Sequence, residues 1–132
     1  MKLLFSWERS AGSFSPSCSS STVNKDGVSP LACLLTDDGG QTSLEVVSWL
    51  NEGVNRIRLV KESKIDFSDW SRDAWGAELS KGEVKIYSLY DENYFELLDI
   101  DSFEAALLAW LNFIQLKPGA GVARRKGDRF IF

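Results

Sequence analysis

The sequence predicts a single α+β domain in which a mainly antiparallel sheet packs against helices. Three observations support this prediction. A length of 132 residues is typical of one domain. Strand-like and helix-like segments follow one another without the strict alternation of β-α-β units. Five Trp, eight Phe and three Tyr, in a chain that is 44% hydrophobic, can fill a sizeable core. We therefore expect residues 1–132 to form one domain.

The N-terminal third begins with a strand pattern at Lys2–Trp7. Ser10–Thr22 contains seven serines among its thirteen residues, which is typical of a loop. We interpret this Ser-rich segment as a connector, with a flexible contact loop as the alternative. Asn24–Gly27 is a turn signal, and Pro30 argues against a central strand there. Leu31–Leu35 is a short apolar run that fits a buried strand or a helix.

The next segment predicts a helix followed by a strand. Thr42 or Ser43 can cap the helix, and Gly53 is expected to end or weaken it. Asn55–Glu62 then alternates in the manner of a strand, while Val46–Val47 leaves a strand open for the first part as well. The apolar residues that define the helical face recur at steps of three and four: Leu44, Val47, Leu50, Val54 and Ile57.

The middle of the chain predicts strands. Asp66–Trp70 is interpreted as a loop with aromatic anchors, and Asn93–Leu98 as a short strand. Ala74–Leu79 and Val84–Tyr90 form a hairpin pattern with Gly82 in its turn. One face of the second hairpin strand consists of Lys85, Tyr87 and Leu89 and is less polar than a solvent face should be. This suggests that the strand is covered, at least partly, on both sides.

The C-terminal part predicts a capped helix and a basic tail. Asp101, with Glu104 three residues later, is a variant of the capping box, and Pro118 stops the helix. The tail spans 117–132, and Phe130–Phe132 either adds an edge strand or stays loose. The helix is apolar over most of its circumference: Phe103, Ala106, Leu107, Leu108, Trp110, Leu111, Phe113 and Ile114.

Missing residue types exclude several kinds of chemistry. The chain has no histidine, so Ser-His-Asp and Cys-His pairs and histidine metal sites are excluded. Cys18 and Cys33 follow no ligand spacing, and we expect free thiols with no metal and no cofactor. The apolar run at Leu3–Phe5 is too short for a signal peptide, and no run approaches a membrane span, so we expect a cytoplasmic protein.

Charge is distributed unevenly along the chain. Residues 1–65 have no net charge, residues 66–104 carry eleven acidic against three basic side chains, and residues 105–132 have a net charge of +4. The acidic middle repels phosphate and attracts basic partners. We therefore expect a basic protein partner, with no direct binding of nucleic acid or membrane.

The strongest candidate site is a cluster of carboxylates. Its spacing indicates neither a catalytic pair nor a calcium loop. Asp99 and Asp101 suit turn and capping roles, which leaves the others for partner binding. Trp70, in an acidic segment, is a candidate contact residue, whereas Trp75 and Trp110 are expected in the core. The cluster comprises Asp91, Glu92, Glu96, Asp99 and Asp101.

Part of the sequence, from about Trp70 to Ile114, resembles small bacterial immunity proteins of polymorphic toxin systems, including those of contact-dependent growth inhibition. The resemblance is carried by Trp75-Gly-Ala-Glu78, Val84-Lys-Ile-Tyr-Ser88, Asp91-Glu-Asn-Tyr94, and Phe103-Glu-Ala-Ala-Leu107 with Trp110 and Phe113. It implies a non-catalytic, immunity-protein-like domain that binds one cognate toxin domain and blocks its active site. Many such toxins are nucleases with basic surfaces.

These observations give one leading hypothesis and two alternatives. In the first, a monomer forms a 1:1 heterodimer with a toxin domain, a basic nuclease being the expected case. Asp91, Glu92 and Glu96 supply charge contacts, and Trp70 and Tyr94 supply aromatic anchors. The second is a small acidic chaperone or adaptor of a secretion system, which would be a homodimer. The third is an enzyme that uses carboxylates alone.

Overall fold

A computed structural model describes residues 2–10, 13–38, 43–116 and 128–131 and confirms the α+β class. The strands are β1 (Lys2–Ser10), β2 (Ser13–Ser20), β3 (Phe67–Ser71), β4 (Trp75–Ser80), β5 (Glu83–Ser88), β6 (Phe95–Asp99) and β7 (Asp128–Ile131). The helices are α1 (Pro30–Leu35), α2 (Ser43–Lys61) and α3 (Ile100–Gln115). One sheet has the order β2-β1-β7 and the other β3-β4-β5-β6, and every strand pair is antiparallel.

The helices form a layer against the inner face of the four-stranded sheet. Both α1 and α3 contact strands of both sheets, and α2 packs on β3, β4 and α3. Aromatic rings join α3 to the smaller sheet: Phe5 meets Trp110 edge-on at 5.1 Å between centroids, and Trp7 stacks on Phe113 at 5.2 Å. This arrangement explains why α3 is apolar over most of its circumference, because it is covered from two sides.

The prediction of a loop at Ser10–Thr22 is wrong for most of that segment. Ser13–Ser20 forms β2 and pairs with β1 along its whole length. Pro16 is tolerated because β2 is an edge strand. On the other side of β1, Asp128–Ile131 forms β7, so the predicted edge strand is present near the C-terminus. The rest of the tail, 117–127 and Phe132, lies outside the described residues.

The prediction of a strand at Asn55–Glu62 is also wrong, because α2 continues to Lys61. Gly53 lies inside this helix and does not end it. A Cβ atom at Gly53 would lie 2.6 Å from the ring of Trp70, so the glycine provides the space in which that indole packs. Packing on the helix, rather than a helix stop, accounts for the glycine.

Both other helices begin at polar caps. The ambiguous run Leu31–Leu35 is helical, and the Ser29 hydroxyl accepts a hydrogen bond from the Ala32 amide at 3.1 Å. The cap of α3 is Asp99, which accepts from the Ser102 amide at 2.6 Å, and not Asp101 as predicted. The helix therefore begins two residues earlier than expected, which places Asp101 in its first turn.

The predicted hairpin is confirmed. β4 and β5 pair from Trp75 opposite Ser88 to Ser80 opposite Glu83, and Gly82 takes the left-handed conformation that the turn requires. The predicted loop at Asp66–Trp70 is instead largely strand β3. None of the helices in the described ranges has the length and apolarity that a membrane crossing requires.

Candidate functional site

The four-stranded sheet has one buried face and one open face. Trp70, Ala77, Leu79, Val84 and Ile86 lie on the inner face beneath the helices and are buried. The alternating residues of the same strands form the outer face. The outer-facing residues are Phe67, Asp69, Ser71, Gly76, Glu78, Ser80, Glu83, Lys85, Tyr87, Phe95, Leu97 and Asp99.

Large apolar side chains are exposed on the outer face of β6 and in the segment that follows β5, where the Tyr90 hydroxyl donates to the Asp73 carbonyl at 3.3 Å. Leu89 is 42% exposed, Tyr90 80%, Phe95 48% and Leu97 52%, and we call these four residues the apolar patch. The Lys85 ammonium lies 5.1 Å from the centre of the Phe95 ring, a cation–π distance. Single exposed apolar residues are ordinary, but Phe95 and Leu97, half exposed side by side on the outer face of one edge strand, indicate a contact surface.

The centre of the outer face is held rigidly by Tyr87. Its ring covers Gly76, where a Cβ atom would lie 2.8 Å from the ring, and its hydroxyl donates to the Asp69 carboxylate at 2.7 Å. Burial, followed by this hydrogen bond and the nearby carboxylates, raises the pKa of Tyr87. The phenol therefore stays neutral and links β5 to β3 across β4.

Carboxylates stand beside the apolar patch in the turn that joins β5 to β6. Asp91 and Glu92 are both exposed, and we call this pair the acidic turn. The turn is ordered, because Asp91 accepts hydrogen bonds from the Asn93 amide at 3.0 Å and, through its carbonyl, from the Tyr94 amide at 3.0 Å. Glu92 has no hydrogen-bonding or ionic partner among the residues that the structure describes. The acidic turn therefore presents two solvated charges next to the patch.

Glu96 does not share that surface. It lies on the inner face of β6 and is half-buried, and its carboxylate accepts a hydrogen bond from the Leu31 amide of α1 at 3.1 Å. Burial raises the pKa of Glu96 above its ordinary value. The strand alternation therefore separates Glu96 from Asp91 and Glu92. The prediction that Glu96 contacts a partner together with these two residues is corrected accordingly.

The two predicted aromatic anchors differ in position. Trp70 is 2% exposed and stacks on Trp49 with 4.4 Å between ring centroids, so it belongs to the core and cannot anchor a partner. Tyr94 is partly exposed, and its hydroxyl donates to Asp26 at 2.9 Å. That carboxylate raises the pKa of Tyr94. Tyr94 thus remains next to the acidic turn, whereas Trp70 is removed from the site.

Three acidic residues near the end of this part of the chain, Asp99, Asp101 and Glu104, have partners within the fold. The Lys61 ammonium lies 2.7 Å from Asp101 and 2.8 Å from Glu104, and these two hydrogen-bonded carboxylates raise its pKa. Asp99 caps α3, which lowers the pKa of its carboxyl. The charge that remains for a partner is therefore concentrated on the sheet side, where residues 66–99 carry nine acidic and three basic side chains.

Sequence reasoning missed the apolar patch, although part of its signal was present. The low polarity of the face that holds Lys85, Tyr87 and Leu89 was attributed to cover on both sides of the strand. The structure shows instead that this face is open and that Phe95 and Leu97 extend it onto β6. Of the residues predicted for binding, Asp91 and Glu92 lie in the turn before the patch, whereas the Tyr94 side chain reaches Asp26.

Within the described ranges, no three or more of the side chains that commonly bind metals come together in a group that could hold an ion. Comparisons with protein-family models, with curated proteins and with solved structures each gave no match. The candidate site is therefore the surface itself: Phe95 and Leu97 on β6, Leu89 and Tyr90 after β5, and the two solvated carboxylates of the acidic turn.

Proposed function

We propose that this protein is a non-catalytic immunity protein that binds a cognate toxin domain, a nuclease in the expected case, and covers its basic active site. The observation that carries the proposal is the apolar patch with the acidic turn at its border. A surface of this kind matches a partner that has exposed apolar groups surrounded by Lys and Arg. The active-site cleft of a nuclease carries positive charge to hold phosphate, and carboxylates can occupy the same positions.

The two parts of the surface have different energetic roles. Apolar burial contributes about 25 cal/mol per Å² removed from water, so the patch supplies the larger share of the affinity. Exposed charge pairs contribute only about 0.2–1 kcal/mol each. Carboxylates at the border mainly accelerate association and favour basic partners over acidic ones. We therefore expect the affinity to depend on Phe95 and Leu97, and the association rate to depend on Asp91 and Glu92.

The alternative of a secretion chaperone has less support from the described residues. That hypothesis drew on the wide apolar surface of α3, which suggested a face available to a partner. Phe103, Leu107 and Trp110 are buried, and the helix lies between two sheets. Most of the apolar circumference of α3 is therefore used inside the domain, and Leu108 is the exposed exception among its large apolar residues.

The first test is purification of a tagged copy from the native host, followed by identification and isolation of any stoichiometric basic protein. The isolated partner is then assayed for nuclease activity while the protein is titrated into it. We expect activity to disappear at a 1:1 ratio. A partner without toxic activity, or activity that persists at saturation, would contradict the proposal.

Matched variants test the placement of the surface. D91N/E92Q removes the two charges of the acidic turn. E52Q/E62Q removes one charge from α2 and one from the residue that follows it, so both variants change the net charge equally. We expect D91N/E92Q to weaken binding by about two- to tenfold, mainly through the association rate and most strongly at low salt. E52Q/E62Q should leave binding unchanged. Equal losses in the two variants would show that overall charge, and not the acidic turn, attracts the partner.

A further inference from the structure

The two edges of the four-stranded sheet differ in how they are protected. At the β3 edge, side chains of α2 satisfy the outward-facing carbonyl groups. The Arg56 guanidinium donates to the Asp69 carbonyl at 2.6 Å, and the Trp49 indole donates to the Ser71 carbonyl at 3.4 Å. An added strand cannot form a regular ladder there without displacing both donors.

The register of β6 determines which backbone groups its own edge presents. The Ser88 amide donates to the Tyr94 carbonyl at 2.9 Å, and the Ile100 amide donates to the Gly82 carbonyl at 3.3 Å. In an antiparallel ladder, alternate residues bond to the neighbouring strand, so Glu96 and Leu98 face β5. The alternate residues of β6, Phe95 and Leu97, therefore direct their backbone N–H and C=O groups away from β5.

These four backbone groups have no hydrogen-bond partner in the part of the chain that the structure describes. β6 also lacks the Lys and Pro that often protect an edge, and its inward-pointing charge, Glu96, is bound by the Leu31 amide. The side chains of Phe95 and Leu97 are about half exposed and would flank an added strand on its outer side. The β6 edge is therefore an unprotected template for strand pairing.

Charge at both ends of this edge selects its occupant. The acidic turn precedes β6, and Asp99 ends it, so carboxylates lie at both ends of a strand about 17 Å long. An extended segment with Lys or Arg near both ends and apolar residues between them is complementary to this pattern. A second copy of the chain is not, because antiparallel pairing of two β6 edges would bring the acidic turn of each copy toward Asp99 of the other.

We propose that the β6 edge binds an extended basic segment of a partner protein, which adds to the sheet as a fifth strand beside Phe95 and Leu97. This inference builds on the proposed function, because it identifies the part of the partner that the apolar patch and the acidic turn recognise. Backbone hydrogen bonds provide affinity that depends little on sequence, and the flanking carboxylates provide the preference for basic residues. The toxin would thus be held through a strand at the border of its active site.

The test uses residue-resolved amide exchange with a synthetic probe, the acetylated and amidated peptide Lys-Val-Thr-Val-Thr-Val-Lys. In the free protein, we expect the amides of Phe95 and Leu97 to exchange fast and those of Glu96 and Leu98 to exchange slowly. Millimolar basic peptide should slow exchange at Phe95 and Leu97 by at least fivefold. The same peptide with Glu in place of both Lys residues should protect them at least threefold less.

Leu97 also allows a backbone test. L97P removes the outward N–H and leaves the ladder bonds to β5, which belong to Glu96 and Leu98, and proline is compatible with an edge strand. It also shortens the side chain, a change that L97V shares. We expect L97P to raise the Kd of the peptide about fivefold relative to L97V, since a lost hydrogen bond is worth about 1 kcal/mol. L97V retains the N–H and should bind within twofold of wild type. Circular dichroism checks that both variants are folded.

Four results would overturn the inference. They are slow exchange at Phe95 and Leu97 in the free protein, equal protection by the acidic peptide, no protection by the basic peptide, or protection that grows with protein concentration as a dimer forms. Each leaves the nuclease titration untouched, so strand addition can fail while toxin neutralisation stands. Failure of that titration with a protected β6 edge would instead leave a module that binds basic segments for another purpose.

Discussion

Replacing Gly53 by alanine tests whether the packing of Trp70, rather than helix propensity, determines the residue at this position. Gly53 lies in the interior of α2, where alanine is normally the more stable choice by about 0.8–1.0 kcal/mol. In this fold, however, the new Cβ atom would lie 2.6, 2.7 and 2.8 Å from three ring atoms of Trp70. That ring cannot move away easily, because it stacks on Trp49 at 4.4 Å and meets Phe103 edge-on at 6.4 Å.

The two opposing effects can be compared. Overpacking of a buried site costs about 1–3 kcal/mol, and three contacts below 3 Å with a rigid indole place Gly53 in the upper part of that range. The gain in helix propensity offsets about 1 kcal/mol of this cost. We therefore expect G53A to lower the free energy of unfolding by about 1–2 kcal/mol.

Urea denaturation followed by circular dichroism measures this change, and two further variants show its origin. N55A, at an exposed position of the same helix, should raise stability by about 0.5 kcal/mol. W70F makes room for the new methyl group, so G53A should cost about 1 kcal/mol less in the W70F background. If G53A were as stabilising as N55A, the contact between Gly53 and Trp70 would not constrain the helix, and our reasoning would be refuted.

Two further predictions concern titratable groups. E96Q should be at least as stable as wild type at pH 7, because it removes a half-buried charge yet still accepts from the Leu31 amide, whereas E96A leaves that amide unsatisfied and should cost about 1–2 kcal/mol. The folded state binds the Glu96 proton more tightly than the unfolded state does. The advantage of E96Q over wild type should therefore shrink as the pH falls through the folded-state pKa toward 4.5, and a constant difference in urea titrations across this range would contradict it. Burial, with a smaller contribution from Cys33, raises the pKa of Cys18 from 9.0 to about 12. In a C33S variant, iodoacetamide at pH 8 should therefore alkylate Cys18 at least about tenfold more slowly than in the same protein unfolded by guanidinium chloride, and comparable rates would refute this assignment.

The sequence was most informative where a local signal agreed with the tertiary environment. The hairpin around Gly82 and the helix after Asp99 were both predicted, because turn residues and helical periodicity act over a few neighbours. Helix α2 was predicted only in part, since Gly53 is a helix breaker in isolation. Its role depends on Trp70, seventeen residues further along the chain, and no local pattern shows that contact.

Strand β2 illustrates a different limit. Its composition of mostly serine is typical of a loop, and the strand forms because β1 offers a partner for all eight of its residues. Backbone pairing does not require apolar side chains on an edge strand, so composition alone could not separate the two states. The same reason explains Asp66–Trp70, where the pairing of β3 with β4 decides the conformation.

The individual residues of the candidate site were predicted only in part, because charge survives averaging over a segment and side-chain direction does not: Asp91 and Glu92 are exposed, whereas Trp70 is buried. Glu92 and Glu96 are four residues apart, yet one is solvated and the other accepts a hydrogen bond from α1. Asp101 and Glu104 are equally acidic in sequence, yet both form ion pairs with Lys61 inside the fold.

The groups that stay exposed to a partner are few, and they lie along one strand edge. Two carboxylates precede β6, one ends it, and two half-exposed apolar side chains lie between them on an edge with unpaired backbone groups. Protected edges are the rule in monomers, and the opposite edge of this sheet follows the rule through Arg56 and Trp49. The difference between the two edges is therefore the strongest reason to regard β6 as the place where a basic partner docks.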